Sequence, residues 1–451
     1  MKNDIDRLMA ESGVETLWVT GPALHNPPMT YFTGLANLTH GDLIKQRGQE
    51  PILFYWPMER EEAARTGLAG KSVNDYRLLE LEVLRQSGGS NIRATAARML
   101  RIFDELGVSG PVEVYGHVEL GPMYGVLTEL AKLRPGVSFV GEEERAVLSR
   151  AMITKDDAEV EHIRHIGRIA TEVMQMVADY LTSRPVAGRQ LLRRDGQPLT
   201  VGDVKRKIRL WLAEQGGEDP EGVIFAIGRD AGVPHNPGTA RDPIEIGKPI
   251  VFDFFPQEAG GGYFYDITRT WCLDHAPRPV EEIYRDVLAA YRHACGLLEP
   301  DTLCRTIQTQ TCRFLEARGH PTLLNSPQTQ VGYCHSLGHG VGLNIHEEPR
   351  FNHLEANGDR LLPGSVITIE PGLYYPERAL GVRLENTLWA RPDGTMEVLA
   401  DLPLDLVLPM KSKASRAKGS GPPARTRKKP PARKGSSEAA RGPTRRSKRA
   451  K

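Results

Sequence analysis

The stretch VFDFFPQEAGGGYFYDITRT, residues 251–270, reads as two strands joined by a turn. β-Branched and aromatic residues fill both ends, and the glycines 260–262 between them are typical of a hairpin turn. Each predicted strand contains an aspartate, Asp253 and Asp266. Aspartate is depleted in strands, and a buried carboxylate without a partner is costly. We therefore expect a positive charge between the two carboxylates.

The pairing of these strands decides how close the two aspartates lie. If the hairpin is centred between Ala259 and Gly260, Asp253 and Asp266 stand directly opposite each other. Opposed residues have Cβ atoms roughly 4.5–5.5 Å apart. Carboxylates at that separation repel each other unless they share a proton or a cation. A bulge at the glycines would shift this register, so the predicted opposition depends on the turn.

A second segment, YCHSLGHGVGLNIHEEP, covers residues 333–349 and combines histidines with glycines. They are His335, His339 and His346, with Gly338, Gly340 and Gly342 between them. Glycines at this density usually mark tight turns or a close approach of backbone segments. A lone histidine is more often a core or surface residue than a metal ligand, but three around a glycine cluster favour a functional site.

Two glutamates complete a set of candidate metal ligands. GSVITIEPGLYYP runs a predicted strand into Glu370, and GVRLENTLW places Glu385 inside another strand-like run. Either glutamate alone is explained by an ion pair or a strand end. With the two aspartates and one histidine they form an oxygen-rich set that suits Mn²⁺, Fe²⁺, Co²⁺ or Zn²⁺. Five such ligands match a pair of metal ions bridged by carboxylates, with a shared water or hydroxide as nucleophile.

With PHNPG at residues 234–238 added, these blocks resemble the pita-bread metallopeptidases, in the branch of aminopeptidase P and prolidase. The resemblance implies an α/β (α+β) fold in three parts. They are an N-terminal creatinase/prolidase-like α/β domain at residues 1–150, a pita-bread catalytic domain at 151–409 and a disordered Lys/Arg-rich tail at 410–451.

The resemblance also implies a role for each site residue. Asp253 is expected to bind one metal ion, Asp266 and Glu385 to bridge both, and His339 and Glu370 to bind the other. Glu370 would also act as general base, and His235 and His346 would contact the substrate and stabilise the tetrahedral intermediate. His335 and Arg383 match positions near the substrate or behind the ligands.

One feature departs from the family pattern. The two aspartates of this chain are thirteen residues apart, whereas most family members have a spacing of eleven. We expect an extended turn at residues 258–262 to absorb the difference without moving the ligands.

The implied activity is that of a dinuclear-metal exopeptidase that hydrolyses the Xaa-Pro bond at the N-terminus of peptides or in dipeptides. Mn²⁺ is the expected metal, with Co²⁺, Fe²⁺ and Zn²⁺ as alternatives, and the expected partners are a short peptide and a second copy of the chain. Two other functions stay open. One is a metal-dependent hydrolase or lyase of a non-peptide small molecule, and the other is a non-catalytic pita-bread binding protein.

Composition limits the class of protein. About 40% of the 451 residues are hydrophobic and 25% are charged, which is ordinary for a globular protein. The polar start, MKNDIDRLMAESGVE, lacks the apolar core of a secretory signal, and we find no membrane-spanning run, so we expect a cytoplasmic protein. The five cysteines include no CxxC pair and predict buried free thiols.

The net charge of +1 hides an asymmetry. Residues 411–451 contain 16 Lys/Arg and one Glu, a balance of +15, which leaves −14 for residues 1–410. The tail has no large apolar side chain and is expected to be disordered. It predicts either a solubilising appendage or nonspecific contact with nucleic acid or another polyanion.

The first 150 residues and the helix after them carry structural patterns only. The N-terminal 150 residues contain four predicted strands, ETLWVTG, PILFYWP, VEVYGH and VSFVG, and a predicted helix, NIRATAARMLRIFDEL. A long amphipathic helix is predicted to follow, with Thr154 and Asp157 as an approximate capping box and apolar residues recurring from Val160 to Tyr180.

Overall fold

A computed structural model describes residues 4–76, 84–141 and 146–411 of the chain. The tail predicted to be disordered, from residue 412 onward, lies outside the described residues. The first sheet has six strands, β1 (Thr16–Gly21), β2 (Gly41–Gln46), β3 (Ile52–Tyr55), β4 (Ala69–Ser72), β5 (Gly110–Tyr115) and β6 (Val137–Val140). Their spatial order is β4-β3-β2-β1-β5-β6, antiparallel at β1–β2 and β2–β3 and parallel at the other pairs.

This sheet has an apolar core on each face. Along β1, Leu17 and Val19 belong to one hydrophobic cluster, and Trp18 between them belongs to another. That alternation is the two-residue period of a strand buried on both sides. The helices around the sheet are α1 (Ile5–Ser12), α2 (Pro27–Thr33), α3 (Arg60–Arg65), α4 (Asn91–Leu106), α5 (Leu120–Leu133) and α6 (Val147–Met152).

The predicted elements of this region are confirmed as β1, β3, β5, β6 and α4. The pattern missed β2, because charged residues occupy buried positions in it. Asp42 accepts hydrogen bonds from Trp18 Nε1 at 3.0 Å and Thr20 Oγ1 at 2.7 Å. Lys45 donates to Asp6 at 2.6 Å. These partners satisfy charges that would otherwise argue against a buried strand.

A long helix, α7 (Asp157–Thr182), follows and buries the predicted apolar face from Val160 to Val177, with Tyr180 partly buried. Its capping box differs from the predicted one. Asp156, rather than Thr154, accepts from the backbone N–H of Glu159, and the Glu159 carboxylate accepts from the backbone N–H of Asp156. The acidic pair satisfies two of the N–H groups that a helix start leaves without partners.

The remaining elements are helices α8 (Val201–Glu214), α9 (Arg278–Cys295) and α10 (Cys304–Glu316) and several short sheets. The strands are β7 (Val186–Ala187), β8 (Gln190–Leu191), β9 (Gly217–Glu218), β10 (Ile224–Ile227), β11 (Pro249–Phe254), β12 (Gln257–Glu258), β13 (Ile267–Leu273), β14 (Val366–Ile369), β15 (Gly372–Tyr375), β16 (Leu380–Arg383), β17 (Asn386–Ala390), β18 (Met396–Val398) and β19 (Val407–Leu408). A four-stranded sheet has the order β10-β11-β13-β19, and a three-stranded sheet has the order β14-β17-β18.

The register predicted for the aspartate hairpin is wrong by two residues. In the antiparallel pair of β11 and β13, Asp253 lies opposite Thr268, and Asp266 precedes β13 by one residue. The connection is wider than a tight hairpin because β12 leaves it to pair with β9. The predicted turn at residues 258–262 is present, where the N–H groups of 261 and 262 both donate to the carbonyl oxygen of 258.

The two glutamates lie where strands end. Glu370 directly follows β14, as predicted. Glu385, predicted inside a strand, instead lies in the two-residue break between β16 and β17. The fully buried Arg269 guanidinium holds this break, because it donates to the carbonyl oxygen of Glu385 at 2.6 Å and to Asn386 Oδ1 at 2.8 Å.

The N-terminal sheet contacts the segments that contain the site residues. Leu343, in the histidine- and glycine-rich segment, is buried in one of the two cores of that sheet. The backbone N–H of His25 donates to the carbonyl oxygen of Gly260 at 3.1 Å. Gly261, at φ +84°, approaches so closely that a Cβ there would lie 2.4 Å from the His25 nitrogen.

Two expectations from composition concern the whole described chain. All five cysteines are free, and Cys272, Cys304 and Cys312 are buried. Among the described residues, no helix is both long enough and apolar enough to cross a membrane.

Candidate metal centre

The two aspartates differ in the partners that their oxygens find. Asp253 is buried, and its Oδ1 lies 2.8 Å from the Thr268 hydroxyl while its Oδ2 is paired with the Arg383 guanidinium. Asp266 is also buried, but its Oδ1 has no hydrogen-bond partner within the described chain. Each oxygen of a carboxylate has two lone pairs, so Asp253 keeps capacity for a further ligand.

Close backbone packing places the histidine segment against β14. A Cβ at Gly338 would lie 2.0 Å from the carbonyl oxygen of Thr368, and one at Gly340 would lie 2.0 Å from that of Glu348. Neither position therefore tolerates a side chain without a backbone shift. The N–H of His339, between the two glycines, donates to Thr368 Oγ1 at 3.1 Å. The glycines thus allow the approach that the sequence predicts, and it fixes the His339 backbone.

The His339 ring presents one nitrogen to the carboxylates. Its Nδ1 lies 3.0 Å from the carbonyl oxygen of Gly340 and must donate to it, since a carbonyl only accepts. Burial, and secondarily His346, lowers the pKa of His339 to about 3, so the ring is neutral and Nε2 carries a lone pair. That Nε2 lies 3.7 Å from Asp266 Oδ2 and 3.6 Å from Glu370 Oε1. Lone pairs that face one another at this distance repel unless a proton or a cation lies between them.

The pKa values of three carboxylates indicate a cluster of uncompensated negative charge. Burial, then repulsion from Glu385, raises the pKa of Asp266 well above its ordinary value. Burial, then repulsion from Glu385, also raises the pKa of Glu370 well above its ordinary value. Burial, then Asp253, raises the pKa of Glu385 to about 7. Close, buried carboxylates disfavour joint ionisation unless a positive charge compensates them.

The donor atoms of this cluster fit a divalent cation. One ligand atom each from Asp266, His339 and Glu385 lie within 4.8 Å of one another. Glu385 Oε1, like Asp266 Oδ1, is buried without a hydrogen-bond partner in the described part of the chain. Buried oxygens are rarely left unpaired without a reason such as an ion. The oxygens together with one unprotonated imidazole nitrogen form the donor set of Mn²⁺, Fe²⁺, Co²⁺ or Zn²⁺ sites.

A hydrogen-bonded chain links Arg383 to His335. Arg383 donates to the Tyr374 hydroxyl at 2.9 Å, and this hydroxyl lies 2.9 Å from His335 Nε2. His335 Nδ1 lies 2.7 Å from the carbonyl oxygen of Ser336 and donates to it. Nε2 is therefore the acceptor for Tyr374, because burial lowers the pKa of His335 to about 3 and keeps the ring neutral. These hydrogen bonds fix Arg383 behind Asp253.

The predicted site residues line one cavity of about 510 Å³. Its lining includes Asp253, Asp266, His339, Glu370, Glu385, His235, His346 and Arg383. His335 is not among the lining residues, and its Nδ1 lies 3.9 Å from Glu370 Oε2. The His339 and His346 rings meet edge to face with centroids 4.4 Å apart. The structure therefore brings together every residue that the sequence singled out, with His335 behind the cavity wall.

A second cavity of about 410 Å³ shares Glu221, Ile345 and His346 with the first. Its other walls include His25 and His117 from the N-terminal region. The His117 Nδ1 lies 2.8 Å from the carbonyl oxygen of His25, which connects the loops that carry the two histidines. The candidate metal centre therefore adjoins a second space, formed in part by loops of the N-terminal region.

Sequence reasoning missed three contributors to the site. The Thr268 hydroxyl lies 2.8 Å from Asp253 Oδ1 and 2.7 Å from Glu385 Oε2, so it joins two carboxylates. Its place two residues after Asp266 was the available signal, since alternate strand residues share a face. Tyr374 and Arg269 gave no such signal, because their roles come from contacts far apart in sequence.

A buried ion pair anchors the histidine segment. Lys155, before α7, donates to Glu347 Oε2 at 2.7 Å, and both side chains are about as buried as the apolar core. Glu347 Oε1 accepts from the N–H of Asn344 at 3.0 Å. The backbones of Glu347 and Gly340 exchange two hydrogen bonds. This closes the loop that presents His346 toward His339.

Comparisons with known proteins agree with this geometry. The sequence model of metallopeptidase family M24 matches residues 161–392. The chain is 26% identical over 399 residues to the Xaa-Pro dipeptidase of Pyrococcus furiosus, which covers 87% of this chain and 97% of that protein. The solved dipeptidase of Pyrococcus horikoshii OT3 has a TM-score of 0.67 at 21% identity, over 90% of this chain and 98% of that one. The solved X-Pro aminopeptidase of Thermotoga maritima MSB8 has a TM-score of 0.66 at 19% identity, over 89% of this chain and 99% of that one.

Proposed function

Because the chain belongs to metallopeptidase family M24 and has the pita-bread fold of the prolidases, we propose that it is an exopeptidase that hydrolyses the bond before proline. The observation that carries the proposal is the buried cluster of Asp266, His339 and Glu385, whose ligand atoms converge while two carboxylate oxygens lack hydrogen-bond partners among the described residues. Relatives named as Xaa-Pro dipeptidases support the choice of substrate.

Five side chains would hold a pair of divalent cations. Asp253 would bind one ion and His339 and Glu370 the other, with Asp266 and Glu385 between them. When bound, the ions lower the pKa of a water molecule and polarise the scissile carbonyl. The oxygen-rich donor set makes Mn²⁺ our proposed metal.

The remaining groups act on the substrate and its protons. Glu370 lies at the cavity wall and takes the proton of the attacking water on a carboxylate oxygen, then passes it to the leaving nitrogen. Burial lowers the pKa of His346, so its neutral ring can donate an N–H to the developing oxyanion. His235 lines the same cavity and can contact the scissile amide. The amide before proline has no N–H, so recognition depends on its carbonyl and on the ring.

The second cavity bears on the length of the substrate. A dipeptide needs only the space around the metal centre, whereas a longer peptide needs room beyond the proline. The space lined by His25, His117 and Asn344 adjoins His346 and offers that room. We therefore propose that the enzyme accepts peptides longer than dipeptides, as an Xaa-Pro aminopeptidase does.

The proposal includes the setting in which the enzyme works. We propose a homodimer in the cytoplasm, with a boundary near residue 150 between an N-terminal domain and a catalytic domain of residues 151–409. The balance of +15 over residues 411–451 supports nonspecific contact of the tail with polyanions.

A peptide panel tests the activity directly. Purified full-length protein would be assayed with Ala-Pro, Ala-Pro-Ala and Ala-Ala-Ala in the presence of Mn²⁺, Co²⁺ or Zn²⁺. We expect cleavage before proline in the first two peptides and none in the third. Cleavage of the dipeptide alone would correct the substrate length, and no cleavage of any peptide would reject the peptidase and favour a non-peptide substrate.

A further inference from the structure

Positive charge is concentrated in one segment outside the metal centre. Residues 184–209 contain eight Lys/Arg and two Asp, a balance of +6, although residues 1–410 as a whole carry −14. The segment runs through β7, β8 and α8. Charges of one sign repel, so a basic cluster within an acidic body is unfavourable unless a group of opposite charge meets it.

The structure gathers these side chains around one groove of about 690 Å³. We call it the α7–α8 groove, and its lining includes Tyr180, Arg184, Arg194, Arg206, Lys207 and Trp211. Two carboxylates reduce the positive charge of the groove, since Asp195 pairs with Arg193 at 2.8 Å and Asp203 pairs with Arg206. Counting every lining side chain, five cations face two anions, so the groove keeps a net positive charge.

Aromatic rings lie among the cations. The Tyr180 and Trp211 rings meet edge to face, with centroids 5.8 Å apart and an angle of 76°. The Arg184 guanidinium lies 4.5 Å from the Tyr180 centroid, and the Lys207 ammonium lies 5.8 Å from that of Trp211. Both rings are only partly buried. A groove with cations for a phosphate backbone and rings on which bases can stack is the arrangement that binds single-stranded nucleic acid.

We propose that the α7–α8 groove is a binding site for single-stranded nucleic acid, independent of the peptidase site. The guanidinium groups of Arg184, Arg194 and Arg206 suit phosphate oxygens, because a planar fork binds them with two hydrogen bonds. Trp211 and Tyr180 stack on bases. A peptide made only of Asp and Glu offers the same charge but has no bases to stack on the rings. RNA and DNA both have the phosphates and the bases that the groove would recognise.

Binding by the full-length protein tests the site. Labelled oligouridylate and oligothymidylate of about 12 nucleotides would be titrated at about 50 and about 200 mM salt, with fluorescence anisotropy as the readout. The double variant Arg194→Glu/Lys207→Glu is expected to lower the affinity by about tenfold or more and to flatten the salt dependence. Because the basic tail of residues 411–451 can also hold an oligonucleotide, the part of the binding that is lost in this double variant is what supports the groove. The ratio of the two affinities lost shows whether RNA or DNA is preferred.

A matched control separates the groove from overall charge. Arg278→Glu/Arg285→Glu makes the same charge change on the exposed side of α9. Because screening limits exposed charges to a Debye length of about 8–10 Å, this control should keep the affinity within about twofold. Equal losses in the two double variants would show that only net charge matters and would overturn the proposal.

Two further measurements test the aromatic part. Trp211→Leu should weaken oligonucleotide binding by about fivefold or more and leave polyglutamate binding unchanged. Crosslinks from thio-substituted oligonucleotides should map to peptides that contain Tyr180 or Trp211. Polyglutamate that binds as tightly as the oligonucleotides, or crosslinks confined to other segments, would refute the site. Peptidase activity should stay unchanged in all these variants.

Discussion

At the residue scale, the carboxylates of the site differ in how their charge is compensated. Asp253 is met by Arg383 and by the Thr268 hydroxyl. Asp266 and Glu385 each leave one buried oxygen without a partner among the described residues. The protein thus compensates one acid with its own cation and leaves the acids around His339 for a cation from solution. A buried carboxylate with no partner would otherwise destabilise the fold.

Replacing Glu385 by glutamine separates the effect of its negative charge from the effect of its size and its contact with Thr268. The amide keeps the size of the side chain and its contact with Thr268, but removes one negative charge. We expect peptidase activity and metal affinity to fall by more than about 100-fold, since even residues behind metal ligands cost 10–100-fold. The metal-free variant should melt at a higher temperature than the metal-free parent, because repulsion is relieved. Differential scanning fluorimetry with EDTA and with Mn²⁺ measures both effects.

The exposed Glu377 provides the control, because Glu377→Gln makes the same chemical change at the surface. This variant should match the parent with and without metal. A Glu385→Gln variant that still gains stability from Mn²⁺ would show that Glu385 is not a ligand.

The metal-free protein should lose stability as pH rises. Burial, then Asp253, raises the pKa of Glu385 to about 7, so the folded state holds a proton that the unfolded chain releases at about 4.3. The stabilisation is complete below that lower value and is lost as pH rises through about 7. Urea unfolding in EDTA at about pH 5 and about pH 8 measures the difference. Glu385→Gln should reduce the dependence, to which Asp266 and Glu370 contribute through their own raised pKa values. A parent protein whose stability does not change with pH would contradict the assignment of a raised pKa.

At the element scale, the site depends on places where regular structure stops. Asp266 lies just before β13, Glu370 just after β14 and Glu385 between β16 and β17. Side chains at such ends can converge because the backbone is free to turn them toward one cavity. The glycine-rich segment adds His339 by lying directly on β14.

Gly338 tests the importance of that close packing. In Gly338→Ala the added methyl would lie 2.0 Å from the Thr368 carbonyl oxygen, so the segment must move away from β14. We expect a loss of about 1–3 kcal/mol in the free energy of unfolding and weaker metal binding through displacement of His339. Urea unfolding and calorimetric metal titration measure the two effects.

Gly358→Ala is the matched control, since a Cβ there would meet no atom within 4 Å. Its free energy of unfolding should equal or exceed that of the parent by up to about 1 kcal/mol. If the two alanine variants behaved alike, the close approach at Gly338 would not be important for the site.

The elements also show what the sequence could predict. Residue type and order, together with the family resemblance, picked out eight of the residues that line the cavity and placed Glu370 after a strand. The true register, with Asp253 opposite Thr268, was not predictable, because it depends on β12 pairing with β9, about forty residues away in sequence. Glu385 was predicted inside a strand because the flanking residues suit a strand. The break at 384–385 is held by Arg269 from β13, which that local pattern does not show. Such tertiary contacts leave no local pattern.

At the scale of the whole molecule, the N-terminal region is in direct contact with the segments around the candidate metal centre. Leu343 packs into the N-terminal core, and His25 and His117 line the adjoining space. The N-terminal region can therefore restrict which peptides reach the metal centre. The acid cluster and the basic α7–α8 groove are separate features of the same body, which is why we treat peptide cleavage and nucleic-acid binding as independent functions.

The central claim is that these acids and one imidazole hold a pair of divalent cations. Crystals grown with Mn²⁺ would be measured at wavelengths on both sides of the manganese absorption edge. The account predicts two anomalous peaks per chain, both in contact with Asp266 and Glu385, with His339 Nε2 beside one of them. A map without anomalous density in this cavity, from a protein that is active on Ala-Pro peptides, would contradict it.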